Sequence, residues 1–162
     1  HNCGLMLIGN VGTGKSYMAS AIANALIEKG VKVKFTSFIE ITNDIFSASD
    51  KTKYVKSLNK YDLLIIDDVG TERNTEYTLE NIYWVIDERV SEGKSLIITT
   101  NTDIDKKEND ENFNRRRINS RIRNVCIPVD IPNYNIREIM SKKHNEMCAE
   151  IFWNGGGSNG KE

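Results

Sequence analysis

Cysteine is scarce in this chain and wrongly spaced for either of its structural uses. Cys3, Cys126 and Cys148 are odd in number and form no CxxC pair, which argues against a disulfide framework and against a zinc site. A reducing, cytoplasmic setting is the expectation that follows. Long apolar runs are missing as well. No stretch approaches the roughly 18 residues of a membrane span, and the N-terminus lacks the charged and apolar parts of a signal peptide. A soluble, unexported protein with no membrane partner is therefore expected. Nor is there an excess of charge of one sign: 22 Lys and Arg against 23 Asp and Glu leave a net −1. The whole-chain balance gives no push toward nucleic acid, so any basic surface has to be local. Of only two prolines, Pro128 interrupts the apolar run VCIPVDI. Because it cannot donate to a ladder, that strand is expected at a sheet edge.

The 162 residues suit one domain around one core. CGLMLIG reads as a short buried strand. The helix that follows carries Met18, Ala21, Ile22 and Ala25 at helical spacing and stops at Gly30. VKVKFTSF alternates as a half-buried strand, and Phe38, Ile41, Ile45 and Phe46 again follow helical spacing. DKTKYVKSLNKYD reads as a connector with one helical turn. LLIID and SLIITTN are strands covered on both faces. Between them, Leu79, Ile82, Tyr83, Ile86 and Val90 mark one helical face that ends at Gly93. A short basic helix carries Ile118 and Ile122, and a final helix runs through NIREIMSKKHNEMCAEIFW. Phe35, Tyr83 and Trp84 are taken as core aromatics. His1 and His144 are given no role, His144 having no histidine or cysteine in metal spacing. Strands alternating with helices predict a three-layer α/β fold with a parallel sheet.

The first strand runs directly into GNVGTGKS, where Gly9, Gly14, Lys15 and Ser16 satisfy GxxxxGK[ST]. Glycines let backbone N–H groups curl around phosphate oxygens, lysine meets the β/γ charge, and a small hydroxyl holds Mg²⁺. A chance match arises on the order of once in a hundred chains of this size. The strand before the loop and the helix after it are the setting in which a helix N-terminus adds its dipole to an anion site. Gly9, Asn10, Val11, Gly12, Thr13, Gly14, Lys15, Ser16 and Tyr17 are therefore expected to bind the phosphates of ATP.

LLIIDD supplies the second half. Asp67, at the C-terminal end of a neighbouring strand, can share Mg²⁺ with Ser16, and Asp68 can orient a water for attack on the γ-phosphate. The plainer role for Asp68 is a turn cap. Asn101, ending LIITTN, has an amide that could reach the γ-phosphate or that water, although Asn is common in turns anyway.

With the loop, LLIIDDVGTE, SLIITTN and INSRI taken in order, the chain from about Cys3 to Arg137 resembles the AAA+ ATPase domain of the bacterial helicase-loader group, the DnaC, DnaI and IstB type. The resemblance implies a P-loop AAA+ core with a minimal C-terminal helical lid. It makes Asn101 the sensor 1 residue and Arg121 the arginine finger offered to a neighbouring subunit's ATP. Arg137, in YNIR, becomes sensor 2, reaching the γ-phosphate from the chain's own lid. A solvated basic face remains the alternative for Arg115, Arg116, Arg117 and Arg123, with Arg117 the one most easily confused with the finger. Asp68 is one methylene shorter than the glutamate usual in AAA+ proteins, which implies slow hydrolysis.

By the same resemblance, residues 1–137 form the ATPase core, 138–153 a C-terminal helix and 154–162 a flexible tail, with a partner-binding domain expected upstream of His1. The implied function is an ATP-dependent replication factor that self-associates head-to-tail, in a ring or helical filament, on single-stranded DNA and helps load a replicative helicase. Lys51, Lys53, Tyr54, Lys56 and Lys60 offer cations and an aromatic for that DNA, or simply a solvated surface. An IstB-type transposition helper acting with a transposase, an ATP-gated interaction module with little turnover, and a small-molecule phosphotransferase are the alternatives.

Overall fold

The computed structural model describes residues 4–69, 75–101 and 113–154. Five parallel strands form one sheet in the order β2-β3-β4-β1-β5: β1 Gly4–Ile8, β2 Val33–Ser37, β3 Leu63–Asp67, β4 Ser95–Thr100 and β5 Cys126–Asp130. The helices are α1 Lys15–Ile27, α2 Phe38–Ser47, α3 Lys51–Ser57, α4 Glu76–Ser91, α5 Phe113–Val125 and α6 Ile136–Asn154. β1 lies between β4 and β5, with Leu5 opposite Ile97 on one side and Ile127 on the other. β5 is an edge strand, where Pro128 leaves no central ladder bond unmade.

Alternation along the strands divides the core between the two faces of the sheet. Leu64, Ile66, Leu96 and Ile98 pack with Ile41 and Ile45 of α2, Ile82 and Ile86 of α4, and Ile118 and Ile122 of α5. Leu63, Ile65, Leu7 and Ile97 face the other way, onto Ala19 and Ala23 of α1. The result is the expected three-layer arrangement, with both faces of β3 and β4 buried. Each fully buried aliphatic side chain contributes about 1.5–3 kcal/mol relative to exposure.

Several local expectations are corrected. The buried face of α1 is Ala19, Ala23 and the partly buried Ile22 and Leu26, while Met18 is 40% exposed and Ala21 and Ala25 face water. Small side chains allow α1 to approach the sheet closely, which apolarity alone does not reveal. Phe46 is 76% exposed, and Phe35 lies exposed on an edge strand; Tyr83 and Trp84 do pack against the core. Residues 50–62 are more than a connector. Asp50 caps α3 by accepting from the Lys53 N–H at 2.9 Å, and Val55 and Leu58 enter the core.

Two polar devices fix the frame around the sheet. Ser37 and Glu40 form a reciprocal capping box at the start of α2, with bonds of 3.2 and 3.0 Å. Arg89 of α4 is fully buried, and its guanidinium donates to the carbonyls of Leu58, Tyr61, Asp62 and Ser95. Burial pulls its pKa down to about 10, so it remains a cation at neutral pH. No helix among the described residues is long and apolar enough to cross a membrane.

Candidate functional site

The parallel strands present their C-terminal ends along one edge of the sheet, and the loop 9–14 sits there between β1 and α1. Gly9 donates to the Thr100 carbonyl at 3.3 Å, keeping the loop's start on β4. Gly12 and Gly14 have φ of 83° and 92°, the left-handed region that penalises a Cβ. At Gly12 a Cβ would also lie 2.4 Å from Asn135 Oδ1. Inside the turn the Asn10 carbonyl accepts from Thr13 Oγ1 at 2.9 Å and from Lys15 Nζ at 2.8 Å. Gly14 caps α1 without a side-chain bond, so N–H groups of the first helical turn are left for an anion.

Lys15 is buried in this loop. Burial lowers its pKa, Asp68 and Asp67 oppose that, and Arg137 reinforces it. Ser16 Oγ donates to Asp67 Oδ1 at 3.0 Å. A hydroxyl that spends its proton on a carboxylate keeps its lone pairs, so Ser16 and Asp67 form an adjacent pair of hard oxygen donors, the donor chemistry that suits Mg²⁺. Asp68 follows with φ of 57°, held by a bond from its N–H to Thr99 Oγ1 at 2.9 Å.

A cavity of about 640 Å³ opens over the loop. Lys15, Ser16, Asp68, Asn101 and Arg137 line it, as do Val11, Gly12, Gly14 and Tyr17. Asn101 Oδ1 is buried there with no hydrogen-bond partner among the described residues, an acceptor left for something that enters. Arg137 belongs to the first turn of α6, and its N–H meets the Gly12 carbonyl at 3.3 Å. Asn10 Nδ2 donates to Asn133 Oδ1 at 2.9 Å, so the segment leading into α6 is seated on the phosphate loop itself. The cavity's glycine cradle and buried ammonium fit a nucleoside triphosphate, and the unpartnered amide oxygen fits a water that donates to it. Ile136 and Met140 also line it, and the sequence reading had not singled them out; an apolar pair one turn apart at a helix start carries no distinctive signal.

Arg121 lies elsewhere. It lines a second cleft with Tyr83, Arg116, Arg117, Ser120 and Asn124, and its Nη2 pairs with Asp87 Oδ1 at 2.6 Å. The Tyr83 hydroxyl, then Asp87, hold its pKa above the ordinary value. Arg117 stacks over the Tyr83 ring at 4.2 Å, so the two arginines share one tyrosine. Thr99, like Ile136 and Met140, was not legible in the sequence, because its bonds to Asp67 and Asp68 depend on which strands are neighbours.

The lysine surface differs in detail from expectation. Lys51, Lys53, Lys56 and Lys60 are exposed, but Tyr54 packs against the core and donates to Asp44 Oδ2 at 2.8 Å, which removes it as a stacking platform. Tyr77, 3.1 Å from Lys51 Nζ, is the exposed aromatic beside the lysines. His144 has a cysteine in helical metal spacing after all: Cys148 Sγ lies 3.5 Å from Nε2. No third His, Cys, Asp or Glu joins them in a metal-binding group among the described residues. The side chain of Arg115, together with Cys3, His1, the GTE of residues 70–72 and the tail from 155 onward, lies outside the described residues.

The same fold recurs in known proteins. The replicative helicase loader DnaC of Escherichia coli strain K12 is 29% identical over 103 residues, covering 60% of this chain and 42% of DnaC. A crystal structure of the DnaC helicase loader superposes with a TM-score of 0.70 at 26% identity, covering 80% of this chain and 78% of that one. DnaI follows with a TM-score of 0.69 at 25% identity, covering 83% and 72%. The chain spans about two fifths of the length of curated relatives such as DnaC and the E. coli protein YdaV. Its fold is that of the AAA+ P-loop ATPases. The model of the IstB-like ATP-binding proteins matches residues 1–137, and the chain belongs to that family.

Proposed function

We propose that this domain binds Mg·ATP in the cavity over the phosphate loop and hydrolyses it slowly, with the site completed by a second copy of the chain. The observation that carries the reading is the division of the machinery. Lys15, Ser16, Asp68, Asn101 and Arg137 line one cleft, with Asp67 bonded to Ser16, while Arg121 lines another.

The chain's own residues have separate tasks. The N–H groups of the loop and of α1 hold phosphate oxygens, and Lys15 exchanges its bond to the Asn10 carbonyl for one to the β/γ-phosphates. Ser16 and Asp67 would hold Mg²⁺, which would supply positive charge to offset that of the phosphates. Asp68 accepts a hydrogen bond and then the proton from the attacking water as its oxygen bonds to the γ-phosphorus and the bond to the β–γ bridging oxygen breaks, releasing ADP, with the Asn101 amide as the second orienting group. Arg137 meets the γ-phosphate from α6. Arg121 of a neighbouring copy supplies the cation that stabilises charge in the transition state, so turnover waits for assembly. Such a contact is head-to-tail and builds a ring or an open helix.

Similarity to the helicase loader DnaC supports a role in DNA replication, in helping to load a replicative helicase; assembly on single-stranded DNA is the step we add to it. The exposed lysines of α3 are the candidate DNA surface. The IstB-like family match favours a second reading, a transposition helper that works with a transposase on duplex DNA.

Subunit mixing tests the shared site. Lys15→Ala destroys one chain's cleft and leaves its Arg121, whereas Arg121→Ala does the reverse. Each alone is expected to be inactive, and an equimolar mixture is expected to recover part of the wild-type rate. No recovery, or normal turnover by Arg121→Ala alone, overturns the trans assignment. Preference for single-stranded or duplex DNA separates the two biological readings.

A further inference from the structure

We propose that Thr99 is the positioning residue for both acids of the site: one buried hydroxyl fixes the Asp67 carboxylate for the metal and sets the backbone that aims Asp68. The inference rests on the nucleotide-site reading above.

Thr99 lies on β4, fully buried, and no sequence signature marks it. Pairing between β3 and β4 runs from Leu63 opposite Ser95 to Ile66 opposite Ile98. Beyond that point the β3–β4 ladder stops, while Asp67 still pairs with Ser37 of β2, and Thr99 takes over on the β4 side. Its Oγ1 donates to Asp67 Oδ1 and accepts from the Asp68 N–H at 2.9 Å, and its carbonyl accepts from the Val69 N–H at 2.9 Å. Three successive residues are thus held by one.

The direction of these bonds matters. A hydroxyl has one proton, and here it goes to Asp67, because the Asp68 N–H can only donate. Asp67 Oδ1 therefore receives protons from both Ser16 and Thr99. That fixes the carboxylate's rotation from two sides and commits the Ser16 proton to it, leaving the serine lone pairs for a cation. Partners of this kind orient a metal-binding group without touching the metal.

The second bond explains a local conformation. Among the described residues Asp68 is the non-glycine residue with positive φ, at 57°, and its N–H would be without this partner if Thr99 lacked a hydroxyl. Threonine suits the task because branching at Cβ stiffens χ1, so the hydroxyl cannot swing away from its two bonds.

The test compares Thr99→Val, which keeps the shape and deletes the hydroxyl, with Thr99→Ser, which restores it. The readout is equilibrium binding of a fluorescent ATP analogue, titrated with Mg²⁺ from an EDTA-treated start, followed by turnover. For Thr99→Val the Mg²⁺ concentration giving half of the affinity gain is expected to rise about ten-fold, with binding in EDTA unchanged and kcat lowered more than KM is raised. Thr99→Ser is expected to return both within about two-fold of wild type. Thr99→Cys, close in volume with a weaker donor, carries the same comparison if Thr99→Val does not fold. Asp67→Asn is the control. If it shifts the Mg²⁺ midpoint while Thr99→Val does not, or if Thr99→Ser rescues nothing, the positioning role is overturned. If Asp67→Asn also leaves the midpoint in place, the metal-side reading of Asp67 falls, and this inference with it.

Discussion

Asp87 of α4 and Arg121 of α5 form an ion pair with Nη2 2.6 Å from Oδ1, outside the cleft that contains Lys15. The cation assigned to a neighbouring subunit is therefore already engaged within its own chain, by Asp87 and by Tyr83. Both partners are about one-third exposed, and a pair of that kind is weak and screened by salt. It is strong enough to orient the guanidinium and weak enough to be exchanged for phosphate. Asp87→Ala is expected to leave thermal stability nearly unchanged and to lower the protein concentration at which ATP hydrolysis begins to rise, by about two- to five-fold. The concentration dependence of turnover measures this. An unchanged or higher threshold would show that Asp87 does not compete for Arg121.

Lys15 gives a dependence on pH. Burial holds its pKa below its ordinary 10.5 despite Asp68 and Asp67, so the folded chain binds that proton less tightly than the unfolded one. Folding then carries a charge penalty at neutral pH, relieved as pH climbs from the depressed value toward 10.5. Lys15→Met removes the penalty along with the phosphate contact. The nucleotide-free variant is expected to melt no lower than wild type at neutral pH, and its advantage is expected to shrink as pH rises from neutral toward 10.5. ATP no longer stabilises it. Calorimetric melting of both proteins across that range is the measurement, and a lower melting point for the variant at neutral pH contradicts the argument.

Asp68 couples chemistry to backbone shape. Asn accepts the left-handed region about as readily as Asp, whereas a Cβ-branched residue does not. Asp68→Asn is expected to fold and bind Mg·ATP like wild type while hydrolysis falls on the order of 10²-fold, the loss typical of a missing proton acceptor. Asp68→Val adds a stability cost of about 1–2 kcal/mol. Urea melts together with single-turnover hydrolysis separate the two effects. Equal hydrolysis by Asp68→Asn and wild type would reduce Asp68 to a turn cap.

What sequence reading could reach depended on whether the relevant residues are neighbours in the chain. The phosphate loop is contiguous, so GNVGTGKS and its strand-helix setting were legible, and the buried runs of β3 and β4 announced a covered parallel sheet. The α3 helix was legible only as one turn, because it gives the core Val55 and part of Tyr54, with Leu58 just beyond it, amid exposed lysines; its one clear signal is the Asp50 cap. The face of α1 was misjudged because closeness to the sheet selects alanine over methionine there. Thr99 and the Arg121–Asp87 pair were invisible for a different reason. Each joins segments 12 or more residues apart, Asp67 with Thr99 and Asp87 with Arg121, through strand order or helix packing that pattern does not encode.

Arg89 is the place where the frame of the site should fail first. Its guanidinium ties the Leu58, Tyr61 and Asp62 carbonyls, which lead into β3, to the Ser95 carbonyl at the start of β4. Those two strands carry Asp67 and Thr99 at their other ends. Removing the side chain leaves up to four carbonyls short of a partner in a buried place, at about 1–3 kcal/mol for each one that water cannot reach. Arg89→Met keeps much of the volume and is expected to destabilise the domain by about 3 kcal/mol or more. Arg89→Lys, which keeps the charge without the fork, is expected to recover only part of that loss. Urea denaturation of the three proteins tests the order. Nucleotide binding per folded molecule is expected to persist, because the loop 9–14 is held by β1, α1 and Thr100 at the far end of β4, while Arg89 bonds only to the Ser95 end of that strand. If Arg89→Met matched wild type in stability, the four carbonyls would have to be satisfied by water instead.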